Sequence, residues 1–226
     1  MEAYHTHVLN EKRMNEWLQE IQNAGAEISG FILNSLCICK WALNYKWDII
    51  SGVRDPLGRN ISWFFEQLYY YIPDYPRQLE MVPDPAKLAD RWAEVFFEQF
   101  PHDEIFHWFD AEIRDNFGID VFEHPFDKSR GYAVYEGNGH RLLVLQFERL
   151  HHLSSVIRDF LGLSAYNLQK ENVSESKDYG SVYRNFLKRI QFDDAFLDRM
   201  YNNRFSRYFY TDEDIETFRR KWSKRP

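Results

Sequence analysis

The chain has 226 residues, 44% of them hydrophobic and 18% aromatic, enough to bury one sizeable core. Its formal net charge of -7 excludes indiscriminate nucleic-acid binding, which needs a basic face to release counterions, so any anion site must be local. No tract approaches the ~20 apolar residues of a membrane span, and MEAYHTHVLNEKRM lacks the apolar core of a signal peptide, so the expectation is a cytoplasmic chain.

Residues 3 to 9, AYHTHVL, alternate as a short strand. Asn10 can cap a helix whose apolar positions Met14, Trp17, Leu18 and Ile21 follow three-four spacing, with Gly25 as its stop. A second helix is predicted over 28 to 43. It carries the two cysteines, Cys37 and Cys39, which read as buried thiols and not as a disulfide or zinc pair. WDIISGV, 47 to 53, has the continuous apolar character of a buried parallel strand, and a helix follows over 56 to 71. IPDYPRQLEMVPDP, with four prolines, reads as an irregular loop, and AKLADRWAEVFFEQF and DEIFHWFDAEIRDNF read as two amphipathic helices. GYAVY and HRLLVLQF flank EGNG, whose Asn-Gly signals a hairpin, and the uniformly apolar LLVLQF belongs in the sheet interior beside WDIISGV. Helices are predicted over 150–162, 179–190, 193–202 and 212–222, the last opening on a Thr211/Asp214 capping box. No linker, repeat or low-complexity tract divides the chain. The reading is a single α/β domain over 1–226 with a central, largely parallel sheet flanked by helices.

In such a sheet ligands gather beyond the carboxyl ends of the strands, where Arg54 stands. Asp55-Pro56 supplies a helix cap followed by proline at the first helical position. Ser62, seven residues beyond Asp55, completes nearly two turns and shares the cap's face. A phosphate there could take a guanidinium fork from Arg54 and a hydroxyl from Ser62, each contact contributing roughly 1.5–3 kcal/mol. The plainer reading pairs Arg54 with Asp55 or Asp48 and leaves Ser62 an ordinary helix serine. The full pattern, a strand followed by Arg54, Asp55, Pro56, Arg59 and Ser62, resembles the R-D-P-x-x-R-x-x-S segment of sulfotransferases that use phosphoadenosine phosphosulfate (PAPS). That resemblance implies that Arg54 and Ser62 hold the 3′-phosphate of the nucleotide. FDKSRGYAVYEGNGHRLLVLQFERL, NVSESKDYGSVYRNF and RMYNNRFSRYFYTDEDIETFRRKW are similar to later blocks of bacterial sulfotransferase-like proteins connected with capsular polysaccharide synthesis. The likeness runs over most of the chain from about residue 3.

His5 and His7 in YHTHVL point to one face of a strand, and histidine has the unperturbed pKa of a base able to take a hydroxyl proton. Tyr-His-x-His-Val resembles the histidine-bearing segment of heparan-sulfate-type 2-O-sulfotransferases, which implies His7 as catalytic base and His5 as a neighbour that orients or binds substrate. Ordinary terminal histidines, or two ligands of an incomplete metal site, are the alternatives. Lys177 in SESKDYGSVY, ahead of a helix, either reaches the nucleotide's phosphate or adenine side or is a solvated loop lysine. Glu148, after LLVLQF, either binds acceptor or pairs with an arginine. The aromatics Trp63, Phe64, Tyr69, Tyr70 and Tyr71 are expected mostly in the core.

The resemblance implies a P-loop-like sulfotransferase fold in which a Lys-containing loop at the first strand cradles the 5′-phosphosulfate. Only four residues precede His5, so the expectation is a chain missing that strand, either truncated or a degenerate relative. The implied activity is transfer of a sulfuryl group from PAPS to a hydroxyl, with a carbohydrate acceptor, no metal, no nucleic acid and the oligomeric state left open. The alternative is a non-catalytic nucleotide- or glycan-binding protein on the same fold.

Overall fold

An apolar run between two turns makes the centre of the sheet. In the computed structural model, which describes residues 9, 11–23, 35, 45–166 and 176–223, HRLLVLQ forms the strand β3 (His140–Gln146), with β1 (Asp48–Val53) on one side and β2 (Tyr132–Gly137) on the other. β1 runs parallel to β3, with Ile50 opposite Leu143, whereas β2 runs antiparallel, with Val134 opposite the same residue. Leu142, Leu143 and Val144 have no solvent exposure, as expected for a strand covered on both faces.

Among the described residues the sheet is therefore small and mixed, a correction to the largely parallel sheet expected from the sequence. The reason is local. Asn138 (φ 48) and Gly139 (φ 81) both adopt positive φ, the backbone of a two-residue type I′ turn, and such a turn forces its strands to be antiparallel. Helices supply most of the remaining structure. No described helix is long and apolar enough to cross a membrane.

The chain divides into two compact units, one from Met1–Val53 and Phe106–Ala165, the other from Arg54–Ile105 and Tyr166–Pro226. The first contains the sheet. Its helix Glu11–Asn23 buries Met14 and Ile21 as the spacing predicts, and the N–H of Leu9 donates to the buried Glu112 at 2.5 Å. Glu112 also faces Arg13 at 3.1 Å. The predicted helix over DEIFHWFDAEIRDNF forms, but its centre, Phe109–Arg114, is π-helical. The Asn116 side-chain amide donates to the carbonyls of Ala111 and Glu112 at 3.1 and 2.9 Å, occupying acceptors at the π-helical segment. Gly118 ends the segment in the left-handed region (φ 65), where a side chain would collide with the Asn138 amide. Strand β3 is fixed to β1 by Arg141, whose guanidinium holds both oxygens of Asp48 at 2.8 and 2.7 Å.

The second unit is helical and aromatic. Phe64 and Phe65 from the helix Pro56–Glu66, Phe96 from Pro85–Gln99 and Phe186 from Gly180–Arg189 are all buried. They meet largely edge to face: Phe64 and Phe96 with centroids 5.3 Å apart at 72°, Phe65 and Phe186 at 5.0 Å and 86°. The aromatic tract thus splits. Phe64 is core, whereas Tyr69 and Tyr70 are 44% and 46% exposed. Among the described residues two α-helices fall outside the predicted ones. Tyr75–Met81 lies inside the proline-rich tract, where Pro76 sits in the first turn and lacks only an N–H that has no intrahelical partner there. Arg204–Phe209 is started by Asn203, whose side chain accepts from the N–H of Ser206 at 2.9 Å. The Thr211/Asp214 capping box forms as read, with both reciprocal bonds at 3.1 Å.

Candidate functional site

The site is set by the start of the helix Pro56–Glu66. Pro56 occupies its first turn, and the Asp55 side chain caps it by accepting from the Leu57 N–H at 3.2 Å. The Arg59 N–H donates to the Asp55 carbonyl at 2.8 Å, closing the first helical turn. Along this helix Leu57, Ile61, Phe64 and Phe65 are buried, while Arg59, Ser62 and Trp63 remain partly exposed and Glu66 exposed. Positions 59, 62, 63 and 66 are spaced three and four apart, so they form one stripe.

Arg54 bends onto that stripe. Its Nη1 donates to Ser62 Oγ at 3.0 Å, so the two groups expected to converge do face one another. Both are half-buried, which leaves them reachable while weakening competition from water. Beside them, the Arg59 guanidinium lies 5.0 Å over the Trp63 ring, and its Nη1 donates to Asn60 Oδ1 at 3.2 Å. One turn beyond Ser62, Glu66 receives Lys177 Nζ at 3.1 and 3.0 Å. Lys177 is therefore brought to the same stripe, held by a carboxylate.

Both Asp48 oxygens are engaged by Arg141. Asp55 has a larger role than a cap. It is 3% exposed and accepts from the Tyr201 hydroxyl at 2.6 Å, from Trp222 Nε1 at 2.8 Å and from Lys221 Nζ at 3.4 Å. Sequence reasoning missed Tyr201 and Trp222 because they lie 146 and 167 positions away, and no local pattern signals a bond of that span. Burial, with the adjoining Asp55 charge and hydrogen bond, raises Tyr201 well above the usual phenol range, so it stays a donor.

His5 and His7 lie outside the described residues, as do Cys37 and Cys39. Glu148 lies exposed in the 3-10 turn Phe147–His152.

The helix is anchored on its buried side by Asn60, whose side-chain amide donates to the His102 carbonyl at 2.9 Å. The His102 ring is enclosed by Phe96, Phe100 and Phe196, with centroids 4.7, 5.4 and 4.9 Å away. Burial pulls it down to about 4, against the Phe96 carbonyl 2.9 Å from Nε2, which favours the charged form. The folded protein thus resists protonating a group that the unfolded chain protonates below about 6.5. Stability is expected to be full above that pH and to fall as pH drops from about 6.5 towards 4, by at most ~1.4 kcal/mol per pH unit from this group. Urea midpoints measured at pH 7, 6 and 5 for the native chain and for His102→Phe test this: the variant should show a flatter slope, and identical slopes would refute the assignment.

Residues 84–211 match a protein-family model described as "NKWYS: Putative capsular polysaccharide synthesis protein", a stretch covering more than half of the chain. It includes Lys177 and Tyr201 and leaves Arg54, Asp55 and Ser62 outside. No curated protein matches the chain, and no solved structure does.

Proposed function

The chain belongs to the NKWYS family, whose description concerns capsular polysaccharide synthesis, and from that premise we propose that it is a sulfotransferase acting on a carbohydrate hydroxyl with PAPS as donor. Arg54 and Ser62 bind the donor's 3′-phosphate. The observation that carries this reading is their 3.0 Å contact on a half-buried helix face. A guanidinium presents paired donors to phosphate oxygens, and the serine hydroxyl, which accepts from Arg54, has its own proton left to donate. The fold is read as a P-loop-like sulfotransferase fold, with the mixed sheet as its described core and the sequence likeness as its support.

The reaction follows from the assigned groups. The acceptor oxygen attacks sulfur, its proton passes to the His7 imidazole, and the sulfur–oxygen bond to the 5′-phosphate breaks with that electron pair leaving on the phosphate. His5 takes the role the sequence resemblance implies for it, a neighbour that orients or binds substrate. The products are the sulfated sugar and adenosine 3′,5′-bisphosphate. Anchoring the donor two turns along a rigid helix fixes its 3′ end, so the reacting sulfur is constrained in orientation, the kind of positioning that accounts for much of the acceleration in such transfers. Lys177 lies on the stripe that continues from the 3′-phosphate site, and exchanging Glu66 for a phosphate oxygen keeps its charge paired.

Calorimetric titration tests the reading. Adenosine 3′,5′-bisphosphate should bind at least about tenfold more tightly than adenosine 5′-phosphate, because one or two charge-assisted contacts at ~1.5–3 kcal/mol depend on the 3′ group. Equal affinities would remove the assignment.

A further inference from the structure

Resting on that reading of the Arg54–Ser62 pair, we propose that Tyr201 and Trp222 are positioning residues for the phosphate site, acting through the carboxylate of Asp55. A helix-capping aspartate ordinarily needs nothing beyond its own helix: the side chain accepts one backbone N–H and is otherwise solvated. Asp55 departs from that pattern. Its Oδ1 takes the Tyr201 hydroxyl as well as the Leu57 N–H, and its Oδ2 takes the Trp222 indole N–H. Each oxygen is therefore tied to a helix distant in sequence, Asp194–Tyr201 for one and Asp212–Trp222 for the other. All three side chains are buried, at 3%, 0% and 4% exposure, so water offers little substitute for either bond.

The consequence reaches the site because Asp55 lies between its parts. Arg54 precedes it by one peptide bond, and Ser62 follows on the helix that it caps. Turning the Asp55 carboxylate would rotate the first helical turn and shift Arg54 relative to Ser62. The packing around Gly58 leaves little room for such a turn. A Cβ there would lie 3.1 Å from Asp55 Oδ2 and 3.6 Å from Arg54 Nε, so the carboxylate and the guanidinium already rest against the helix backbone. Tyr201 and Trp222 hold the two oxygens of the carboxylate, one each, at 2.6 and 2.8 Å. Lys221, 3.4 Å from Oδ2 and half-exposed, contributes charge at the rim.

The full chain, titrated by calorimetry well below its melting temperature with adenosine 3′,5′-bisphosphate and separately with adenosine 5′-phosphate, distinguishes positioning from simple support. Tyr201→Phe and Trp222→Phe should each weaken the bisphosphate about five- to tenfold and leave the 5′-phosphate nucleotide unchanged. In an Arg54→Ala background neither should have any further effect on the bisphosphate, because both act through the same contact. Unchanged bisphosphate affinity, or parallel loss for both nucleotides, overturns the proposal in favour of a purely structural role. If one variant does not fold, the other carries the comparison, and failure of both to fold also assigns them to structure alone. Absence of any 3′-phosphate preference in the native chain is a separate outcome: it defeats the sulfotransferase reading itself, and the positioning role with it.

Discussion

Arg54→Ala should weaken the binding of adenosine 3′,5′-bisphosphate by about a hundredfold or more while moving the melting temperature only slightly. The size follows from what the side chain does. A guanidinium facing a dianionic phosphate makes two charge-assisted bonds, and losing them in a half-buried site costs on the order of 3 kcal/mol or more, a factor of at least about a hundred in affinity. The fold is expected to survive the substitution because Nη1 bonds a serine hydroxyl on a partly exposed helix face, while the apolar side of that helix is packed elsewhere. Arg54→Lys should recover part of the loss, since an ammonium supplies the charge without the planar fork. Ser62→Ala should cost less than Arg54→Ala because only a hydroxyl is removed. Calorimetry on the four proteins gives the ranking, and an Arg54→Ala affinity within threefold of the native chain would place the nucleotide elsewhere.

The parts of this site that could be read from the sequence are those encoded within about two helical turns. Arg-Asp-Pro announces a cap and a proline at the first turn, and seven residues separate Asp55 from Ser62, so helical geometry alone brings the serine back under the arginine. The hairpin was legible for the same reason, because Asn138-Gly139 can adopt positive φ at both turn positions. Apolar uniformity placed LLVLQF between two neighbours. Other features depended on information that is not local. The hairpin implies an antiparallel neighbour for β3 while the strand–helix alternation along the chain implies a parallel sheet, and the local turn prevails on that side of β3. Pro76 obscured the helix Tyr75–Met81, because proline argues against a helix interior and for a helix start with equal force. Tyr69 and Tyr70 are exposed although their neighbour Phe64 is core, since hydrophobicity does not say which side of a turn faces inward. Tyr201 and Trp222 were the least accessible. Each is an aromatic residue in an amphipathic helix, and its polar atom has a purpose only once the Asp55 carboxylate is beside it.

The same carboxylate should make Asp55→Ala among the most destabilising single substitutions in the chain, lowering the free energy of unfolding by about 3–5 kcal/mol in urea titrations at neutral pH. Three buried donors lose their acceptor together, and Lys221 at the rim loses its charge partner. The Leu57 N–H loses its cap, worth ~1 kcal/mol, and the Tyr201 hydroxyl and Trp222 indole N–H are left buried, at ~1–3 kcal/mol each where no water replaces the bond. These losses do not simply add, because the helix ends can relax, which is why the expected value lies below their upper sum. Asp55→Asn separates the contributions. Its remaining carbonyl oxygen can still serve Leu57 and Tyr201, but its amide would turn a donor towards the Trp222 donor, so Asn should be intermediate between Asp and Ala. A loss below about 1 kcal/mol for the alanine variant would show that Tyr201 and Trp222 find other acceptors. In that case the carboxylate would be an ordinary cap, and the fixed placement of Arg54 against Ser62 would have to come from the packing of the helix alone.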